Sequence, residues 1–175
     1  MPTFRGHVLI GLTGRYASGK STVVDFLVSK GLASESCSDS IRAHLKQNGI
    51  EESRENLING GNELRRSGGP GILAEMLLER LGGKNAVIDS IRTPGEVEAL
   101  QQRDDFILIE VRAGMDARWQ RAQTRARTGD IVDRETFFAN EEKEAVAKDE
   151  SGQALNATAA LADLVLVNDG SLEDL

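Results

Sequence analysis

Residues Gly14-Arg15-Tyr16-Ala17-Ser18-Gly19-Lys20-Ser21 spell G-x-x-x-x-G-K-[ST], and the flanking chain leaves few folds that could present it. Ahead of it runs His7-Val8-Leu9-Ile10-Gly11-Leu12, an apolar run of buried-strand length. After it comes Thr22-Val23-Val24-Asp25-Phe26-Leu27-Val28, with the apolar spacing of an amphipathic helix. A strand that feeds a glycine-rich turn opening a helix wraps backbone N–H groups around an anion at the helix N-terminus. Gly14, Ala17, Ser18, Gly19, Lys20, Ser21 and Thr22 are therefore the expected phosphate-binding residues. Lys20 would reach the β- and γ-phosphates, and the Ser21 hydroxyl would hold Mg²⁺. The chain is expected to bind a nucleoside triphosphate.

A length of 175 residues suits one compact domain with a substantial core. No apolar run approaches the roughly 20 residues of a membrane span, and residues 1–30 lack a signal-peptide layout. The single Cys37 cannot form an internal disulfide, which points to a reducing, cytoplasmic setting. It has no Cys or His neighbour at metal-ligand spacing and reads as a small structural thiol. Asp and Glu number 28 against 21 Lys and Arg, a net charge of −7 that argues against a general nucleic-acid surface. Arginine is nevertheless concentrated: Arg118, Arg121, Arg125, Arg127 and Arg134 fall close together, as a small multiply charged anion would require.

Short apolar runs alternate with helical segments, the pattern of an α/β protein with a parallel sheet. Strands are predicted at residues 7–12, 86–89, 106–111 and 164–167, with a weaker one near 32–36. The four clear ones read as nearly continuous apolar runs, as strands covered on both faces do. A helical insert is expected over residues 39–82. Ile41, Leu45 and Ile50 mark one helix, Leu57 and Leu64 a second, and Ile72 to Leu81 a third, with breaks at Asn59-Gly60-Gly61 and at Ser67-Gly68-Gly69-Pro70-Gly71. A second, exposed and charged insert spans roughly 127–150. Two polar inserts on one sheet suggest a site that closes over its substrates.

Asp89 ends an apolar strand and Arg92 follows it. Ligands of open parallel sheets bind outside the carboxyl ends of the strands, so Asp89 is expected near the phosphate loop, on Mg²⁺ or beside the attacking oxygen. Thr93-Pro94-Gly95-Glu96 reads as a capped helix start. Glu110 has no evident partner and reads as structural. Asp39-x-x-Arg42 opens the first insert, and Arg42, Arg65 or Arg66 could hold an acceptor phosphate. Neither His7 nor His44 has the companions of a nucleophilic triad. Phosphoryl transfer needs none, because it works by positioning and charge neutralisation.

These residues together resemble a P-loop kinase of the nucleoside-monophosphate kinase group, specifically the small adenylate-kinase-related and dephospho-CoA-kinase-like proteins. Ser38-Asp39-Ser40-Ile41-Arg42 resembles the motif whose arginine binds the monophosphate. Val87-Ile88-Asp89-Ser90-Ile91-Arg92 resembles the strand-end Asp and following Arg. Arg118 through Arg125 resembles the lid-flanking arginines that grip the transferring phosphates, with Arg121 and Arg125 the foremost. Residues 162–171, including Asn168, resemble the last strand and adenine-side loop of dephospho-CoA kinases. The resemblance implies a three-layer α/β/α P-loop NTPase fold with a five-stranded parallel sheet, an acceptor-binding insert at 39–82 and a short lid at 127–150. It also implies ATP and Mg²⁺ as donor and metal, and catalytic roles for Lys20, Asp89, Arg121 and Arg125. Asp39, Arg42 and Arg92 would bind the acceptor.

Two features depart from the pattern. Ser90 and Ile91 stand where adenylate kinases carry Gly-Phe-Pro, and the Pro-Leu-Leu segment of dephospho-CoA kinases is missing. The acceptor thus stays open between a nucleoside monophosphate and dephospho-CoA. A nucleotide-sensing domain with little turnover is the alternative of another class. Relatives often add a helix after the last strand, and a chain without it would expose one sheet face, self-associate or meet a partner there.

Overall fold

A computed structural model describes residues 6–124, 133–146, 152–171 and 173–175. Five strands form one sheet in the order β2-β3-β1-β4-β5. They are β1 (Leu9–Thr13), β2 (Ala33–Ser36), β3 (Ala86–Asp89), β4 (Phe106–Arg112) and β5 (Leu164–Val167). Every pairing is parallel, so each strand returns to the same edge through a helical connection. The helices are α1 (Lys20–Ser29), α2 (Cys37–Gln47), α3 (Arg54–Gly68), α4 (Ile72–Leu81), α5 (Pro94–Leu100), α6 (Met115–Thr124), α7 (Arg134–Ala145) and α8 (Leu155–Ala159). None of the described helices is long and apolar enough to cross a membrane.

The period of two along β1 builds the three layers. Leu9 joins a core with Leu45, Leu73, Leu77, Val97 and Leu108, beneath α2, α4 and α5. Ile10 and Leu12 point the other way and meet Val23 and Leu27 of α1 with Val87 and Val111. β1 is buried throughout, which suits the central strand that carries the phosphate loop.

Three expectations are corrected. Asn59-Gly60-Gly61 is no break, because α3 runs through it. The two glycines face α2: a Cβ at Gly60 would lie 3.2 Å from Ile41 and Leu45, and one at Gly61 3.0 Å from Ile41. Close helix approach outweighs the roughly 1 kcal/mol that glycine costs a helix interior. Ile50 lies beyond the end of α2 and is exposed. Finally, β5 is apolar but not covered: Leu164, Val165 and Val167 are 55%, 45% and 61% exposed. It is the sheet's last strand, and an edge position gives it fewer neighbours than its composition implies. The break at Ser67–Gly71 stands, with α3 ending on Gly69 at φ +95°.

Candidate active site at the phosphate loop

β1 delivers the chain into the loop, and α1 begins at Lys20 with Gly19 as its cap. Gly14, Ala17 and Gly19 all have positive φ, Ala17 at +59° despite its Cβ. Strain of this kind persists where the surroundings over-determine the backbone, which is common at ligand clamps. Among the described residues no side chain caps α1, and the positive end of its helix dipole faces the loop. Lys20 Nζ donates to the carbonyls of Gly14 (2.8 Å) and Arg15 (3.1 Å), folded back over the loop. Ser18 Oγ is buried with no hydrogen-bond partner among the described residues. Such an orphan hydroxyl within the loop fits an anionic ligand. Ser21 and Thr22 follow in the first turn of α1.

The loop is propped from behind by Asn168, just past β5. Its Nδ2 donates to Ser18 O (2.9 Å) and its backbone N–H to Arg112 O (2.7 Å). Arg121 of α6 donates to Asn168 O (2.8 Å) and lies 3.5 Å from Ser18 O. Arg118, one turn earlier, is buried against Ala113 O and Tyr16 O and pairs with Glu141. Asn168 and Arg121 therefore meet at the loop. Arg125, Arg127 and the opening of the second insert lie outside the described residues.

Asp89 ends β3 beside the end of β1, where Gly11 pairs with Ile88. Its carboxylate accepts from Ser90 N–H (2.6 Å), and Ser90 sits at φ +62°, a second strained non-glycine at the same sheet edge. Thr13 Oγ1 donates to Ile91 O, tying this segment to β1. The predicted cap is present in full: Thr93 accepts from Glu96 N–H, and Glu96 accepts from Thr93 N–H. Glu96 is also fully buried and pairs with Arg65 at 2.7 Å. That pairing takes Arg65 out of any acceptor site. Glu110, read from sequence as lacking a partner, is buried and pairs with Arg112 at 2.6 Å.

Arg92 extends toward a cavity of about 570 Å³ between α3 and α7. It donates to Gln153 (2.9 Å) and lies 3.7 Å from Glu144, both of which line that cavity. Arg54, Asn59, Asn62, Asn140 and Lys143 complete most of the polar wall, and Asn62 Oδ1 is buried with no partner among the described residues. Asp39 and Arg42 do not reach this cavity. Arg42 pairs with Glu52 and Asp39 (both 2.9 Å) and lines a separate groove on α2. The hydrogen bond to Glu52 raises its pKa above the ordinary arginine value.

The second insert is not simply exposed. Glu141 and Ala145 of α7 are buried, and Phe137 packs on Tyr16 of the loop and on Trp119. Arg15 pairs with Glu141 (3.0 Å) and Glu142 (2.8 Å). Burial opposes its charge, but the hydrogen bonds to these carboxylates prevail and raise its pKa. These α7 glutamates, Arg15, Arg54 and Gln153 were not singled out from sequence. The run Glu141-Glu142-Lys143-Glu144 reads there only as a charged helix face.

No protein-family model matches the chain. A UPF0200 protein of Methanocaldococcus jannaschii is 31% identical over 172 residues, covering 95% of this chain and 84% of that one. UPF0200 proteins of Methanothrix thermoacetophila and Aeropyrum pernix are each 32% identical, covering 95% and 96% of this chain and 91% and 88% of theirs. The chain belongs to the UPF0200 family. Among solved structures, shikimate kinase from Bacteroides thetaiotaomicron superposes with a TM-score of 0.61 at 13% identity, over 93% of this chain and 87% of that one. A gluconokinase from Sinorhizobium meliloti gives 0.54 at 14%, over 99% and 88%. The fold of this UPF0200 member is thus that of the P-loop kinases, three-layered around a five-stranded parallel sheet, as the resemblance implied.

Proposed function

We propose that this chain is an ATP- and Mg²⁺-dependent phosphotransferase that moves the γ-phosphoryl group to a small acceptor in the α3–α7 cavity, a nucleoside monophosphate foremost. The reading is supported by one arrangement: the strained loop around Lys20 follows β1, Asp89 ends the neighbouring strand β3, and Arg92, three residues on, contacts Gln153 and Glu144 of the polar cavity. The loop amides and Lys20 neutralise the donor's phosphates, and Arg121 and Asn168 hold the loop in that shape. The Ser21 hydroxyl and the Asp89 carboxylate are the groups that would hold magnesium, which supplies charge neutralisation between the phosphates. Arg92 and Arg54 orient the acceptor, because planar guanidinium groups match phosphate oxygens. Arg125 is retained as a second gripping residue; Asp39 and Arg42 would hold the acceptor's phosphate only if the acceptor sat in the groove on α2 in place of the α3–α7 cavity.

A second reading, phosphorylation of a hydroxyl as in dephospho-CoA, is favoured by Asp89. A carboxylate at the sheet edge can take a hydroxyl proton, which a phosphate acceptor does not require. ADP release with a panel of nucleoside monophosphates and dephospho-CoA separates the two. Stimulation by one acceptor is the expected result. ATP binding without stimulation by any acceptor would instead describe a nucleotide sensor.

A further inference from the structure

Four arginines from four parts of the chain converge on one turn of α7. Arg15 of the phosphate loop is held by Glu141 and Glu142, and Arg118 of α6 by Glu141. Arg54 at the start of α3 is held by Glu144 at 2.6 Å, and Arg92 lies 3.7 Å from the same carboxylate. The Glu141 side chain is 5% exposed and that of Glu144 17%. Surface decoration does not bury carboxylates between guanidinium groups, because desolvating a charge is costly without close, well-placed partners.

We propose that the turn Glu141–Glu144 is an internal substitute for phosphate. It occupies the arginines of the donor loop and of the acceptor cavity together, and substrates displace it. The proposal rests on the phosphotransferase reading above and adds its regulation. A carboxylate and a phosphate compete for the same planar fork of N–H donors, so the two occupants exclude one another at each arginine. The exchange trades one charged partner for another, so no guanidinium is stranded without a counter-ion. Arg15 and Arg118 answer to the triphosphate, Arg54 and Arg92 to the acceptor. Because Glu141, Glu142 and Glu144 share one helical turn, releasing either half loosens the other. The two substrates would then bind with positive coupling. Asp133, Glu135 and Lys143 also lie on α7, but Asp133 caps the helix through Thr136 and Lys143 contacts Asn140.

Trp119, the chain's one tryptophan, reports on α7 because its ring lies 5.4 Å from that of Phe137. The test titrates Mg²⁺-ATP into the wild type and into E141Q/E142Q/E144Q, reading Trp119 emission and equilibrium dialysis. In the wild type, emission shifts on binding. In the triple variant the shift is already present without ligand, and ATP binds about tenfold tighter, the scale of one charged hydrogen bond. Unchanged or weaker ATP binding in a folded triple variant overturns the proposal and leaves the phosphotransferase reading intact. Should that variant not fold, E142Q alone decides. Glu142 is 65% exposed, and its loss should tighten ATP by about two- to threefold, the scale of an exposed ion pair; no tightening overturns the proposal. If Lys20→Ala and the wild type both fail to bind ATP, the phosphotransferase reading falls, and this inference with it.

Discussion

Gly19 bridges the loop and α1 at φ +104°, and a Cβ there would run into the Asn168 side-chain amide. Gly19→Ala combines an unfavourable backbone angle, about 1–2 kcal/mol, with that collision. It should weaken ATP binding at least tenfold while Asn168→Ala does so less, as measured by calorimetric titration; equal affinity to wild type would show that the loop tolerates a shift. Cys37 is the second informative residue. Burial pushes its thiol well above the ordinary 9.0, helped by the nearby charges of Glu96 and Asp89. The unfolded chain therefore ionises first as pH rises. The contribution to stability is full below 9.0 and is lost as pH climbs through the folded value. At neutral pH a disulfide reagent should label Cys37 no faster than the chain unfolds; rapid labelling of folded protein would contradict its burial. The loop residues were legible because their spacing is set by phosphate geometry. Glu141 and Glu144 were not, because their meaning depends on arginines far away in sequence.

At the scale of elements, α3 and α5 are joined through Glu96. Its two oxygens accept from Arg65 Nε and Nη2, and from the backbone N–H groups of Arg92 and Thr93. Glu96→Ala leaves the Arg65 charge buried alone and removes the half of the α5 capping box that accepts from Thr93 N–H. Urea unfolding should show a loss of about 3–5 kcal/mol, with Glu96→Gln milder. A loss under about 1 kcal/mol would mean the pair contributes little beyond an apolar filler. The cap was readable from Thr93-Pro94-Gly95-Glu96, since it is local. The ion pair to Arg65 was not, because nothing in a sequence distinguishes a buried arginine from a solvated one. Glycine misled in the same way. Gly60 and Gly61 read as a break by local propensity, while the packing of α2 against α3 keeps them helical. For β5, composition showed a strand and gave no sign of its place at the sheet's edge.

At the scale of the molecule, the proposed donor and acceptor halves of the site should fail separately. Arg92→Ala should raise the acceptor KM roughly ten- to a hundredfold, the loss of a charged contact of about 1.5–3 kcal/mol, and move the ATP KM far less. Equal effects on both would remove Arg92 from the acceptor side. The order of the motifs made the fold legible, since a parallel sheet fixes which ends of its strands carry ligands. The cavity between α3 and α7 was not legible, because two inserts distant in sequence build it. Transfer of labelled γ-phosphoryl from ATP, followed across nucleoside monophosphates and dephospho-CoA, tests the whole account most directly. One phosphorylated acceptor should form with the wild type and none with Lys20→Ala. Label released only to water, or to no acceptor at all, would contradict it.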